Sequence, residues 1–345
     1  MGRQRAKRIA LANHEKELLL WDYQTARANV LAQTASDFVK LLAAQEQVKL
    51  GENLVALAEE VVRTFSICFQ AGQVSPLDLS QAEVALSTIR MATEASRRER
   101  SIARTRLAAN WGAHGDTASM AVGKLDSIHA LPTLEALQGK LIANPDLARW
   151  STELAVRRAA YTLERSQRLP DLTLEMGFRT TGLANRSASS YEIGSAGFTR
   201  SETSYDADRG NSFVLAFSLP LPIFNRNQGR IAAAEARISK VAAQRQRAQA
   251  ALRSQVSEAH QRASGAFIQA ETLKNEVMPK IEETFDKMQR GYQQGKFSYL
   301  EVLDTQRTLF ESREAYLSAL TQYHQAVVRL ERLTGDTLQE YDPKS

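Results

Sequence analysis

The chain has 345 residues, of which 43% are apolar, with only 17 glycines and eight prolines, so much of it is expected to be extended helix. Its 44 Lys and Arg and 39 Asp and Glu leave a net charge of +5, and the two signs alternate as on solvated helix faces, which argues against a nucleic-acid binder. The single cysteine, Cys68, excludes an intrachain disulfide, and no run of 18 apolar residues predicts a transmembrane helix.

The amino-terminal residues 1 to 112 read as a long helical hairpin. The chain begins with a basic, amphipathic stretch that lacks the apolar core and cleavage site of a secretory signal, which by itself suggests a cytosolic protein. The turn of the hairpin is predicted within CFQAGQVSPLDLSQAE, residues 68 to 83. Alanines recur along the return helix and would let neighbouring helices approach closely.

Residues 113 to 168 are predicted to be a linker followed by short helices. Asn144 and Pro145 form a typical N-cap and first helical position, and the helix that they start is expected to run to about Arg168.

Residues 169 to 224 are predicted to hold two amphipathic strands. LPDLTLEMGFRT and NSFVLAFSLPLPIF each alternate apolar and polar residues over about ten positions, the length that a tilted strand needs to cross a bilayer. The polar segment between them reads as an exposed loop. A surface hairpin of a soluble domain would show the same alternation, so this pattern leaves both interpretations open.

Residues 225 to 335 are predicted to be a second hairpin, followed by a tail at 336 to 345. An offset of 223 residues aligns Gly72 with Gly295 and Gly112 with Gly335 without a gap, which indicates an internal duplication. The first arm, residues 226 to 291, contains one proline, Pro279, and would span roughly 100 Å if it is one continuous helix. The return helix is expected to run from Tyr299 to Leu333, and its seven-residue apolar repeat favours a left-handed supercoil.

Motifs for catalysis are missing from the sequence. The five histidines make no paired metal-ligand spacing, and there is no phosphate loop, dinucleotide fingerprint or nucleophile elbow. Most acidic residues stand near Lys or Arg at helical spacing. We therefore expect no enzyme, no cofactor and no metal site.

Duplicated helical hairpins joined through two amphipathic strands resemble the TolC-like outer membrane efflux family. The similarity covers essentially the whole chain, and its sequence motifs most resemble those of the CzcC-like heavy-metal efflux branch. The most specific segments are RLPDLTLEMGFR, LPLPIFNRNQGRI, NPDLARW and YQQGKFSYLEVLDTQRTL.

The resemblance implies a mainly α fold, in which long coiled-coil hairpins in two repeats form an α-barrel and the β-hairpin contributes to a transmembrane β-barrel. It implies a homotrimer in outer membrane lipid, with its helical tunnel in the periplasm, that docks a periplasmic adaptor and an inner membrane pump of the resistance-nodulation-division type. The channel would conduct substrate passively, with heavy-metal cations expected. Drug efflux, type I protein secretion and a cytosolic coiled-coil scaffold are the alternatives.

The resemblance also assigns roles to residues of the two turns. The adaptor-docking tips would be Gly72, Gln73, Val74 and Ser75 in the first copy and Gly295, Lys296, Phe297 and Ser298 in the second.

A periplasmic gate would lie just inside the second tip, at Glu301 and Asp304. Three residues apart, they share a helix face, and a trimer would gather six carboxylates whose repulsion raises some of their pKa values. The alternative is ion pairing of Asp304 with Arg307 and of Glu301 with Lys296 or solvent.

Family members contribute four strands per protomer and carry a secretion signal, whereas this chain begins inside its first long helix. Three chains with two strands each would supply only six, too few for an open barrel. We therefore expect the chain to be truncated at its amino terminus and unable to form a conducting pore by itself.

Overall fold

The computed structural model describes the chain in these ranges: 2–72, 74–113, 120–141, 144–168, 173–181, 188–194, 197–203, 210–219, 224–294 and 296–338. The chain divides into two units. Unit one comprises residues 1–15 and 154–240, and unit two comprises residues 16–153 and 241–345.

The helices are α1 (Gly2–Gln70), α2 (Pro76–Ala109), α3 (Leu134–Lys140), α4 (Pro145–Ser166), α5 (Gln228–Thr272), α6 (Met278–Gln293) and α7 (Tyr299–Thr334). α1 and α2 form the first hairpin, and α5 to α7 form the second. No helix in the described ranges is long and apolar enough to cross a membrane.

The structure confirms the internal duplication at the ends of the return helices. Ser75 and Ser298, 223 residues apart, are the N-caps of α2 and α7, with similar extended backbone angles. Past the carboxyl ends of these helices, Gly112 and Gly335 both have a φ of 74°.

A matched ion pair also braces each hairpin. Arg90 of α2 contacts Glu59 of α1 at 2.7 Å, and Arg313 of α7 contacts Glu282 of α6 at 3.0 Å. Both the arginines and the glutamates are related by the same offset of 223, so the two hairpins keep one helix register.

The first arm of the second hairpin, residues 226 to 291, is not one continuous helix. A π-helical turn, Leu273–Val277, separates α5 from α6, and Pro279 follows within the first turn of α6. Proline has no amide hydrogen for the helical ladder, and a π-turn carries one extra residue, so both features weaken the helix there.

Two strand pairs lie in unit one. β1 (Thr173–Thr181) pairs antiparallel with β4 (Gly210–Ser218), as the alternating segments predicted. β2 (Ala188–Gly194) and β3 (Gly197–Thr203) form a second antiparallel pair within the segment that was expected to be an exposed loop. That expectation was therefore incomplete, because short polar strands lack the apolar alternation by which strands are recognised.

The core of unit two lies along the seams between its helices. One cluster joins α1, α2 and α7 around Leu41, Leu107 and Leu320, and it includes Ala121 and Leu125 of the predicted linker. Gln45 of α1 fixes that segment, because its side-chain amide exchanges hydrogen bonds with both the N–H and the carbonyl of Ala121. The linker is therefore part of the core.

Candidate docking tips and gate

The first tip is a tight turn between α1 and α2. The N–H of Gly72 donates to the carbonyl of Phe69 at 2.9 Å, and the φ of 71° at Gly72 is the left-handed conformation that favours glycine. The Ser75 hydroxyl then accepts from the N–H of Leu77 at 3.2 Å and caps α2. Val74 packs against the neighbouring apolar cluster, and Gln73 lies outside the described residues.

The second tip folds back on the end of α6. The N–H of Lys296 donates to the carbonyl of Gly291 at 2.9 Å, and a Cβ added at Gly291 would overlap the ring of Phe297. Gly291 is buried, so only glycine leaves room for the ring. The family resemblance predicts a docking role for Phe297, but it did not predict the packing of its ring on Gly291. Gly295 lies outside the described residues.

The two tips are neighbours in unit two. The rings of Phe65 in α1 and Tyr292 in α6 stack with centroids 6.4 Å apart and 5° between their planes. Ala82 of α2 and Leu303 of α7 belong to the same apolar cluster. We call this group, which also contains Val61, Val62, Val74 and Leu79, the tip cluster; it brings both predicted docking motifs to one end of unit two.

Glu301 caps the amino terminus of α7. Its Oε2 accepts from the N–H of Ser298 at 2.7 Å and from the Ser298 hydroxyl at 2.9 Å. The backbone hydrogen bond, followed by the hydroxyl bond, lowers the pKa of Glu301. In the structure, Glu301 therefore accepts hydrogen bonds from Ser298, and not from Lys296 as the ion-pair alternative suggested.

Asp304 lies one turn further along α7 and pairs with Arg307 at 2.7 Å, as the ion-pair alternative predicted. Both side chains are largely exposed, and Arg307 also lies 3.7 Å from Glu311. Exposed pairs of this kind contribute about 0–1 kcal/mol, so Asp304 remains available for other partners. Whether Glu301 and Asp304 form a gate stays a prediction.

An open groove of about 680 Å³ runs beside Asp304. Its apolar walls come from α1, α2 and α7 and include Ala82, Ala85 and Phe310. Asp304, Arg307, Glu311 and Glu314 line it as well. The groove adjoins the tip cluster, because Ala82 belongs to both.

One face of the β1–β4 pair is apolar and exposed. The register places Leu174 opposite Phe217, Met176 opposite Leu215, and Phe178 opposite Phe213. Each of these side chains is at least half exposed, with Phe178 at 68%. Six large apolar side chains on one strand surface are typical of a face that meets lipid or another protein.

A partly buried polar network, which the sequence did not reveal, anchors the start of α4 in unit two. Asp146 accepts from Arg332 at 3.0 Å and from the Thr25 hydroxyl at 3.0 Å. Asn144 is fully buried, donates to the carbonyl of Leu333 at 2.6 Å and caps α4 by accepting from the N–H of Asp146. Only the cap was readable from the sequence, because the other partners are distant along the chain.

The described residues contain no cluster of His, Cys, Asp and Glu that could hold a metal ion. His324 is buried, and its Nε2 donates to the carbonyl of Leu125 at 2.8 Å. Burial lowers the pKa of His324. This histidine therefore attaches the linker to α7.

Comparison with known proteins gives consistent matches. The outer membrane efflux protein family matches residues 1–113 and 136–336. The cobalt-zinc-cadmium resistance protein CzcC of Cupriavidus metallidurans is 32% identical over 97% of this chain and 74% of its own length. The pyoverdine export outer membrane protein OpmQ of Pseudomonas aeruginosa is 25% identical over 97% of this chain and 66% of its own.

The fold agrees with a solved structure of CusC. The two align with a TM-score of 0.78 at 18% identity, covering 96% of this chain and 74% of the CusC chain. At that identity the likeness supports the α-barrel channel fold.

Proposed function

Because the chain belongs to the outer membrane efflux protein family, we propose that it is the outer membrane conduit of a tripartite efflux system for heavy-metal cations. The family is one of efflux channels of the outer membrane, which sets aside the cytosolic scaffold. Three copies would assemble and receive substrate from an inner membrane resistance-nodulation-division pump through a periplasmic adaptor, without chemistry or a cofactor. The division of the chain into two helical repeats, a linker, a transmembrane β-hairpin and a tail remains a prediction.

The similarity to CzcC is the observation that carries the metal proposal, at 32% identity over nearly the whole chain. The weaker similarity to OpmQ supports an organic substrate as the competing candidate. Deleting the gene in its host should lower tolerance to cobalt, zinc and cadmium, and restoring the full protein should recover it. Unchanged metal tolerance together with lost export of a siderophore or drug would favour the competing function.

The proposed adaptor site is the pair of neighbouring tips. Gly72→Ala places a side chain at positive φ in a turn with no atom within 4 Å of the new Cβ. Gly112→Ala is the matched control, because its φ is 74° and its Cβ would also meet open space. Each change should cost about 1 kcal/mol of local strain.

Adaptor binding, measured by co-purification of the cross-linked complex, should fall for Gly72→Ala and stay unchanged for Gly112→Ala. Equal losses in both variants would mean that the turns serve folding alone.

The proposed gate is a ring of Glu301 and Asp304 carboxylates in the trimer. Glu301→Gln keeps an oxygen that can cap Ser298, and Asp304→Asn keeps the shape of the side chain, so both test charge with little change in packing. In a protein extended at its amino terminus by two further strands, so that it can conduct, the double variant should show lower cation selectivity and weaker block by multivalent cations in planar bilayers.

The matched control is Glu311→Gln, which removes a carboxylate from the same helix two turns further from the tip. Unchanged reversal potentials in the double variant would leave the capping bond and the ion pair as the only roles of these residues.

A further inference from the structure

An open groove of about 800 Å³ in unit two lies between α1, α5 and α7. On α7 its lining runs from Gln322 to Leu333, at the end of the helix that is farther from the tips. It shares no lining residue with the groove beside Asp304. The proposed docking tips and the proposed gate therefore leave this groove without a role.

The charged side chains of this groove are mainly basic. Among the described residues that line it, Arg262, Arg329 and Arg332 are basic, and Asp146 alone is acidic. We call this groove, by its three arginines, the arginine groove. Its excess of positive charge favours negatively charged ligands.

The groove beside Asp304 has the opposite charge. Its described lining contains the acids Asp304, Glu311 and Glu314 and the single arginine Arg307. The positive charge of the arginine groove is therefore a local feature, and not a general property of the helix surfaces.

Two of the arginines have guanidinium groups that are available to a ligand. Arg329 and Arg262 are both exposed, and Arg329 makes no hydrogen bond or ion pair within the described residues. Arg262 pairs at 2.6 Å with Glu258, whose side chain is 52% exposed. Exposed pairs of this kind are weak, so an anion in the groove can engage both arginines.

The third arginine, Arg332, has an unsatisfied buried donor. Its Nε donates to Oδ1 of Asn29 at 2.6 Å, and its Nη2 donates to Asp146 at 3.0 Å. Its Nη1 is buried and has no hydrogen-bond partner within the described residues. Buried donors in folded proteins nearly always have a partner, so this atom indicates that a ligand or water completes the site.

Neutral amides add further donors beside the arginines. Gln255 of α5 and Gln325 of α7 line the groove, and their side chains make no hydrogen bond within the described residues. Gln255 lies seven residues before Arg262, and Gln325 lies four residues before Arg329, so each amide shares a helix face with an arginine. The amide NH₂ can donate to an anionic oxygen. Two helices therefore present matched donors to one groove.

From these features we infer that the arginine groove binds a small oxyanion with two or more negative charges, a phosphate or a polycarboxylate. Arg262 and Arg329 hold the oxyanion from two helices by charge-assisted hydrogen bonds, and the neighbouring amides donate to its remaining oxygens. Arg332 supplies a third positive charge, and its Nη1 gains an acceptor. This site goes beyond the proposed conduction of cations and does not depend on it.

The test is isothermal titration calorimetry on the purified full protein in detergent. Inorganic phosphate and citrate are titrated separately at constant ionic strength, with sodium chloride as the blank. We expect saturable binding of at least one of the two oxyanions and none of chloride. The tighter of the two shows whether the site prefers a phosphate or a polycarboxylate.

Arg329→Gln and Arg262→Gln test the two exposed arginines. Each change should raise the Kd at least about tenfold, because one charge-assisted hydrogen-bonding group is lost. Both side chains are exposed, so the far-UV circular dichroism of the variants should match that of the parent. Arg332 is kept, because its bonds to Asn29 and Asp146 support the fold.

Arg253→Gln is the matched control. Arg253 is an exposed arginine of the same helix α5, and it lies two residues before Gln255, on another face of the helix. This variant should keep the Kd of the parent. A loss equal to that of Arg262→Gln would mean diffuse attraction to a basic surface and would overturn the site.

Two other results would also overturn the arginine groove as a binding site. One is parent affinity in both the Arg329→Gln and the Arg262→Gln variants, and the other is no saturable binding of either oxyanion, which would leave Nη1 of Arg332 to water. The titration needs no metal, adaptor or conduction. A protein that exports no metal could still bind the oxyanion, and a protein without the site could still export metal, so the two failures are distinguishable.

Discussion

Asp37 shows how one buried carboxylate fastens the end of one helix to another. It is 4% exposed on α1 and accepts from Asn110, the C-cap of α2, at 3.1 Å and from Gln33 at 2.8 Å. Burial raises its pKa, but these bonds and Lys40 outweigh burial, so that the pKa lies below its usual value. The charged form therefore stabilises the fold.

Asp37→Asn should lower the free energy of unfolding at neutral pH by about 1–3 kcal/mol, because bonds to a charged acceptor are lost. Because the pKa of Asp37 is lower in the folded state, its charge stabilises the fold at pH values above the unfolded-state pKa of about 3.9. That stabilisation is lost as the pH falls through the folded-state pKa. Urea unfolding of parent and variant should therefore converge in acid. A difference that is constant with pH, or equal to that of exposed Asp286→Asn, would contradict this role.

Gly291 holds the second tip in shape by its lack of a side chain. Gly291→Ala would push the ring of Phe297 away from α6 and should cost about 1–3 kcal/mol through overpacking. Phe297→Ala in the same chain removes the overlap, so the double variant should be more stable than the sum of the single changes predicts. Additive thermal shifts would show that the two residues do not interact.

At the scale of elements, the sequence predicted those features that depend on local chemistry. The N-cap at Asn144, the start of α7 at Tyr299 and the β1–β4 strands follow from residue types and spacing within a few positions. The β2–β3 pair was missed because its strands are polar. The π-turn was missed because one extra residue leaves the apolar pattern on either side intact.

The candidate site was predictable to a similar degree. The tip motifs were found from the duplication, but their meeting at Phe65 and Tyr292 depends on how the two hairpins pack, which no local pattern encodes. The same holds for Arg332, whose partner Asp146 lies 186 residues away.

Gly51 sets the spacing between α1 and α2. Gly51→Ala gains helix propensity but forces its Cβ against buried Thr93, so we expect a net loss of stability of about 1 kcal/mol or more. Gly265→Ala in α5 is the control, because no atom lies within 4 Å of its Cβ and the same change should stabilise by about 0.5–1 kcal/mol. Changes in melting temperature of opposite sign in the two variants would support the close approach of Gly51 to Thr93. Stabilisation by both substitutions would exclude it.

At the scale of the whole molecule, the chain combines long polar helices with the small β1–β4 sheet, whose apolar face is exposed. Each of β1 and β4 has a single partner within the described residues, which leaves one edge of each strand for pairing beyond them. Exposed strand edges and an apolar face are costly in water, and in lipid every backbone group needs a partner. A membrane location that brings together several chains would satisfy both requirements.

The paired positions Phe178 and Phe213 test this placement. In the full protein, Phe178→Arg with Phe213→Arg should cost about 2–4 kcal/mol for each arginine if the face meets the bilayer interior, because a charge there loses its hydration. The fraction of the protein that is recovered with outer membranes should then fall. Far-UV circular dichroism should keep its helical signal, since the long hairpins pack without this sheet face.

Ala216→Arg is the matched control for this experiment, because it adds the same charge on the opposite face, across from Glu175. An arginine there gains a cross-strand partner of opposite charge, so membrane recovery should stay close to that of the parent. Full membrane recovery of the double arginine variant would mean that this face packs against protein. The strands would then brace the helical hairpins, and the span across the lipid would have to come from other parts of the assembly.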